Sequence, residues 1–176
     1  MSAADLVSER SFERLNLDDL RRLAELALTD LQGLYARRPE TASLYADRLI
    51  ALCLCQGAAD HFVQPGRGIK DLDVWAFYRE HPARAFPYRR RGIVDFGRAK
   101  FGRHPSDKGF DGRRVDVIGR SIPTQNGENG IEAIRGWLRG KHSESARHLA
   151  RRPVVLIYPE DSLGKVIWDP TRTAEQ

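Results

Sequence analysis

Residues 71 to 78 read Asp-Leu-Asp-Val-Trp-Ala-Phe-Tyr, an apolar and aromatic run entered through two aspartates one residue apart. The run predicts a buried strand. Side chains alternate along a strand, so Asp71 and Asp73 share one face. Each carboxylate raises the cost of ionising the other, and close to a core each also loses hydration. A fold that keeps such a pair has to compensate it.

The 176 residues are 41% hydrophobic, enough for one domain with a core of ordinary size. No apolar stretch approaches the roughly 20 residues of a membrane helix, and the opening MSAADLVSER lacks the charged-then-apolar pattern of a signal peptide. No membrane association and a cytoplasmic location are expected. Cys53 and Cys55 lie two apart in an apolar run, too close for ordinary disulfide geometry, and a single Cys-x-Cys is no zinc signature. A reduced compartment and a core position suit both.

The formal net charge is +5, with basic residues concentrated between Arg84 and Arg120, including Arg89, Arg90 and Arg91. A basic segment attracts phosphate, whether of nucleotides, RNA or DNA, although a solvated basic surface has the same composition.

Asn16 is positioned to cap a helix whose first turn holds Asp18 and Asp19, and Leu20, Leu23, Ala27, Leu31 and Leu34 then recur at helical spacing. A second helix is expected from Pro39 to about Asp47. Leu49 to Cys55 reads as a buried strand, Ala58 to Val63 as a short helix, and Glu80 to Gly112 as a long hairpin excursion with one apolar patch, Gly92 to Phe96. A strand follows from Arg113 to Ile118, then helices around Ile131–Leu138 and Ser143–Arg151. Val154 to Tyr158 and Gly164 to Trp168 close the chain as a strand pair. This order predicts an α+β domain on a mixed sheet, with residues 1–48 a helical segment before the core at 49–176.

Hard divalent cations that handle phosphates take oxygen ligands, and an Asp-x-Asp strand supplies two of them on one face. A cation would offset the repulsion between Asp71 and Asp73. Asp116, between Val115 and Val117 on the next strand, is the best third carboxylate, with Asp95 as rival. Upstream, Gln56 ends a strand and Gly57 enters a helix, which presents free backbone N–H groups to an anion.

The stretch LCQGAADHFVQPGRGIKDLDVW followed by RRVDVIG resembles the DNA polymerase beta-type nucleotidyltransferase superfamily. That resemblance covers Leu49 to Val74 and extends loosely to Ile118. It implies a nucleotidyltransferase-like fold in which Asp71 and Asp73 bind two Mg²⁺ ions and Asp116 activates the attacking hydroxyl. It also implies an NTP whose phosphates lie on Gln56, Gly57 and Ala58. Lys70 beside the pair could neutralise Asp71 or contact a phosphate, and Arg113 or Arg114 could neutralise the leaving group. One position departs: Ala58 stands where the family has Ser or a second Gly, which removes a hydroxyl from the phosphate cradle.

Plainer readings stand beside these. Asp71 and Asp73 could be solvated acids at a strand end, paired with Lys70 or Arg67. Gly57 could be a simple turn residue and His61 a packing or capping residue. Trp75 and Phe77 share the aspartate face, where they would pack beneath a helix. For function, the expectation is Mg²⁺-dependent transfer of a nucleoside monophosphate from an NTP to a hydroxyl acceptor. The alternatives are a module of the same fold that binds nucleotide or nucleic acid without turnover, and, less favoured in a short chain, a glycosyltransferase using Asp-x-Asp.

Overall fold

A computed structural model describes residues 6–87 and 90–173. Arg89, part of the arginine triplet noted above, lies outside the described residues. The elements are α1 (Leu17–Arg37), α2 (Pro39–Tyr45), β1 (Leu49–Cys55), α3 (Gln56–Val63), β2 (Leu72–Arg79), β3 (Arg91–Asp95), β4 (Arg114–Ile122), α4 (Gly130–Gly140), α5 (Glu144–Leu149), β5 (Val154–Tyr158), β6 (Val166–Trp168) and α6 (Pro170–Thr173). The strands form one open sheet in the order β3-β4-β2-β1-β5-β6. Among the described residues, of these neighbouring strands β2 and β4 run parallel and the others antiparallel. This is the α+β class expected from the sequence.

The first helix begins where its cap allows. The Asn16 side chain accepts from the Asp19 amide at 2.9 Å and the Asp19 carboxylate accepts from the Asn16 amide at 2.8 Å, a reciprocal capping box. Its apolar stripe, Leu20, Leu23, Ala27, Leu31 and Leu34, is buried against Leu52, Leu54, Val74, Val117 and Val155 of the sheet. The opposite face of the sheet carries Cys53, Trp75, Phe77 and Leu156, which pack with Ile134 and Leu138 of α4 and Leu149 of α5. β1 and β2 are therefore covered on both faces, which is why their sequences are continuously apolar rather than alternating.

Of the boundaries that differ from expectation, three bear on the sheet and the turn beside Asp73. The helix α3 starts at Gln56, two residues before Ala58. The patch at Gly92–Phe96 becomes the edge strand β3, antiparallel to β4. And β4 continues past Ile118 through Gly119, Arg120 and Ser121 to Ile122, residues without a strand pattern of their own. Their partner explains the extension: β2 holds them in a parallel ladder that pairs Ala76 with Gly119, Phe77 with Arg120 and Tyr78 with Ser121. Gly119 is fitted to its place, because a Cβ there would stand 2.2 Å from the Phe86 ring. Among the described residues no helix is long and apolar enough to cross a membrane.

Candidate active site

The parallel register of β2 and β4 sets Asp73 directly opposite Asp116, and Trp75 opposite Ile118. Strand partners share a face, so the two carboxylates project to the same side, together with Asp71 from just before β2. All three line one cavity of about 700 Å³, whose wall also includes Gln56, Trp75, Arg91, Arg120, Ser145 and His148. That volume suits a ligand of nucleotide size.

The carboxylates are differently supported. Asp116 is almost fully buried, and its Oδ1 accepts from Arg114 Nε and Nη2, both at 2.9 Å. Asp73 makes no ion pair among the described residues, and loss of hydration, followed by the charges of Asp116 and Asp71, pushes its pKa up to about 7, against the opposing pull of Arg91 and Arg114. Asp71 is raised as well, first by burial and then by Asp116 and Asp107, with Lys70 and Arg114 opposing. Asp107, on the loop before β4, was not singled out by the sequence. It adds a fourth negative charge here, and its Oδ2 is buried with no hydrogen-bond partner.

Asp95 does not line this cavity. It closes a turn: Oδ1 accepts from the amides of Gly97 (2.8 Å) and Gly112 (2.9 Å), and Oδ2 from that of Asp111 (2.6 Å).

Gln56 lines the cavity, whereas neither Gly57 nor Ala58 is among its lining residues. The turn from β1 into α3 puts Gln56 at φ 59°, in the left-handed region, where a non-glycine side chain is unusual. Its Oε1 lies 3.3 Å from His148 Nε2. Gly57 itself has an ordinary φ, and a Cβ there would make only a normal contact with Arg67 Cδ at 3.8 Å. Ala58 is buried in the core beneath α1. The conformational strain in this turn is thus carried by Gln56, one residue before the glycine.

The basic candidates also separate. Arg113 is wholly buried, and its guanidinium donates to the carbonyls of Phe101 (2.7 Å), Ser8 (3.0 Å) and Lys70 (3.4 Å), tying three chain segments together. It does not line the cavity. Arg114 does not line it either but reaches Asp116. The Lys70 side chain is exposed, and its charge bears on Asp71. Arg67 pairs with Asp60 at 3.3 Å rather than with the Asp71–Asp73 pair. Within the basic segment Arg90 pairs with Asp30 and Lys100 with Asp19. Arg90, so paired, lines the cavity together with Arg91 and Arg120.

His61 is buried: Nδ1 accepts from the amides of Gly66 (3.2 Å) and Gly68 (3.1 Å), which leaves Nε2–H to donate to Glu13 O at 3.0 Å. Cys53 and Cys55 are buried free thiols whose pKa values burial drives up.

The three carboxylates are hard oxygen donors, the donor chemistry a divalent cation requires, and of the three only Asp116 is held in an ion pair among the described residues. Arg114 currently competes for Asp116, and among the described residues no three His, Cys, Asp or Glu side chains are gathered so as to hold an ion as they stand. Set against family models, curated proteins and solved structures, the chain matches none of them.

Proposed function

We propose that this protein is a Mg²⁺-dependent nucleotidyltransferase that moves a nucleoside monophosphate from an NTP to a hydroxyl acceptor. The observation that carries this reading is the register of the parallel pair, which aligns Asp73 with Asp116 in the cavity that Asp71 also lines. The raised proton affinity of Asp73 supports it, because carboxylates repelling one another in a part-buried cavity favour a bound cation. Asp71, Asp73 and Asp116 would hold the metal. When bound there, it would supply positive charge to the phosphate oxygens and ease deprotonation of the acceptor.

The chain's own groups have distinct tasks in this reading. The acceptor oxygen forms a bond to the α-phosphorus, the bond from that phosphorus to the bridging α–β oxygen breaks, and pyrophosphate leaves with the electron pair. Asp116 takes the hydroxyl proton; its Oδ1 is occupied by Arg114, so Oδ2 is the accepting atom. Arg91, an exposed side chain in the cavity wall, offsets charge on the departing phosphates. Gln56 and His148 line the same cavity and orient the nucleotide.

One observation favours a second reading, a nucleotide- or nucleic-acid-binding module of the same fold without turnover. The Arg114–Asp116 ion pair holds the third carboxylate away from a shared ion, and Ala58 offers no hydroxyl to a phosphate. Incubation with each α-labelled NTP, Mg²⁺ and a pool of RNA and protein acceptors separates the two. Label transfer with pyrophosphate release supports the enzyme, and saturable NTP binding without either supports the binding module.

A further inference from the structure

Beyond Asp73 and Asp116 the cavity continues along β4 to Arg120, where Ser121 and Glu80 also line it. Arg120 stands four residues past Asp116 on the same face, about 13 Å along the strand at the usual rise per residue. Its guanidinium lies 5.3 Å from the centre of the Trp137 ring, and its Nη1 donates to Ser145 Oγ at 3.2 Å. The head group is therefore held in place by an aromatic face and one hydroxyl, with most of its donors uncommitted. Among the described residues no carboxylate lies within ion-pair distance of it.

A second observation lies between the two ends. Trp75 is 7% exposed, lines this cavity and the adjoining hollow formed with Glu144, Ser145, Arg147, His148 and Arg151, and its indole N–H has no hydrogen-bond partner among the described residues. A buried donor left unpaired costs about 1–3 kcal/mol, which a ligand acceptor atom at this place would recover.

We propose that the Arg120 end of the cavity is a subsite for a phosphate ester, held by Arg120 and Ser145 and accepting the Trp75 N–H. A fixed, unpaired guanidinium with a neighbouring hydroxyl and an indole donor matches a tetrahedral oxyanion with several acceptor atoms. The phosphate cannot sit at the other end without a cation, because Asp71, Asp73 and Asp116 repel it. Assigning that phosphate to the acceptor rests on the nucleotidyl-transfer reading: the reacting hydroxyl would lie by the carboxylates and the phosphate one nucleoside-sized unit away. The acceptor is then itself a phosphorylated molecule, either a mononucleotide-like ester or a nucleic acid strand.

The chain's three tryptophans give three indole N–H signals in ¹⁵N-labelled protein, and Trp75→Phe assigns one of them. With divalent cations chelated, titration of a nucleoside 5′-monophosphate should move the Trp75 signal saturably, and the unphosphorylated nucleoside should not. Arg120→Gln should weaken this binding at least tenfold and Ser145→Ala a few-fold. Arg120→Lys, which keeps the charge and most of the stem, should lie between wild type and Arg120→Gln. It carries the test if Arg120→Gln loses its fold.

Equal affinity for the mononucleotide and a short single strand assigns a small ester; at least tenfold preference for the strand assigns nucleic acid. Equal shifts from nucleoside and monophosphate, or unaltered affinity in both Arg120 variants, would overturn the subsite. Arg120-dependent binding in a protein that transfers no label would remove the acceptor assignment and leave the phosphate site standing, so the two failures separate.

Discussion

Asp73 and Asp116 stand side by side on the parallel strands β2 and β4, Asp116 with its carboxylate clamped by Arg114 and Asp73 with its proton affinity raised to near neutrality. Two chemically identical groups are thereby given different surroundings by their neighbours. The testable consequences begin with this asymmetry.

The pKa of Asp73 is about 7 in the folded chain against 3.8 as the unperturbed value, so the folded state binds the proton more tightly than the unfolded state. Its stability contribution is fully present below about pH 4 and is lost as pH rises through 7. Without divalent cations, Asp73→Asn should therefore raise stability at pH 8 by an amount on the order of 2 kcal/mol and change it little at pH 4. Thermal unfolding at both pH values checks this. An Asn variant that is destabilised at pH 8 would show that the carboxylate is compensated in the fold.

Arg114→Gln removes the partner of a nearly buried carboxylate. The loss should be roughly 2 kcal/mol in metal-free protein, between the small value of exposed pairs and the large one of fully buried pairs. Because the same substitution frees Asp116, Mg²⁺ should restore much of the lost stability, and denaturant melts with and without Mg²⁺ give both quantities. Mg²⁺ rescue that is no larger than in wild type would disconnect Asp116 from cation binding.

Arg113→Lys should destabilise the protein by about 3 kcal/mol or more, because a lysine cannot bridge the carbonyls of Ser8, Lys70 and Phe101 at once. Urea unfolding measures it. A variant of wild-type stability that fails only in pyrophosphate release would return Arg113 to the leaving group.

His61→Ala leaves the Gly66 and Gly68 amides and the Glu13 carbonyl without their partner in a buried setting. A loss of about 2–4 kcal/mol is expected, with the loop between α3 and β2 exchanging its amide hydrogens faster. Unchanged exchange at Gly66 and Gly68 would contradict the role assigned to this imidazole.

Much of this molecule is legible in its sequence, and the exceptions have physical causes. The Asn16 cap, the apolar stripe from Leu20 to Leu34, and the runs at Leu49–Cys55 and Asp71–Tyr78 are local signals, and each marks an element that forms, the last of them over Leu72–Arg79. Asp116 stood out because its apolar flanks mark a strand, and Asp95 was distinguishable only once its three backbone donors were visible. Arg120 and Ser121 lack strand propensity, so a strand that depends on pairing with Phe77 and Tyr78 is invisible along the chain. The basic segment reads as one feature, yet its members divide among ion pairs, a buried carbonyl cage and the cavity wall. That division is set by folding partners as distant as Ser8 and Asp30.

The central claim is that Asp71, Asp73 and Asp116 together take a divalent cation with a nucleotide. Calorimetric titration of Mg²⁺ into the protein in the presence of a non-hydrolysable NTP analogue tests it most directly. Saturable binding in wild type, lost in Asp73→Asn and in Asp116→Asn while both variants remain folded, is the expected result; identical titrations for wild type and both variants would contradict the account.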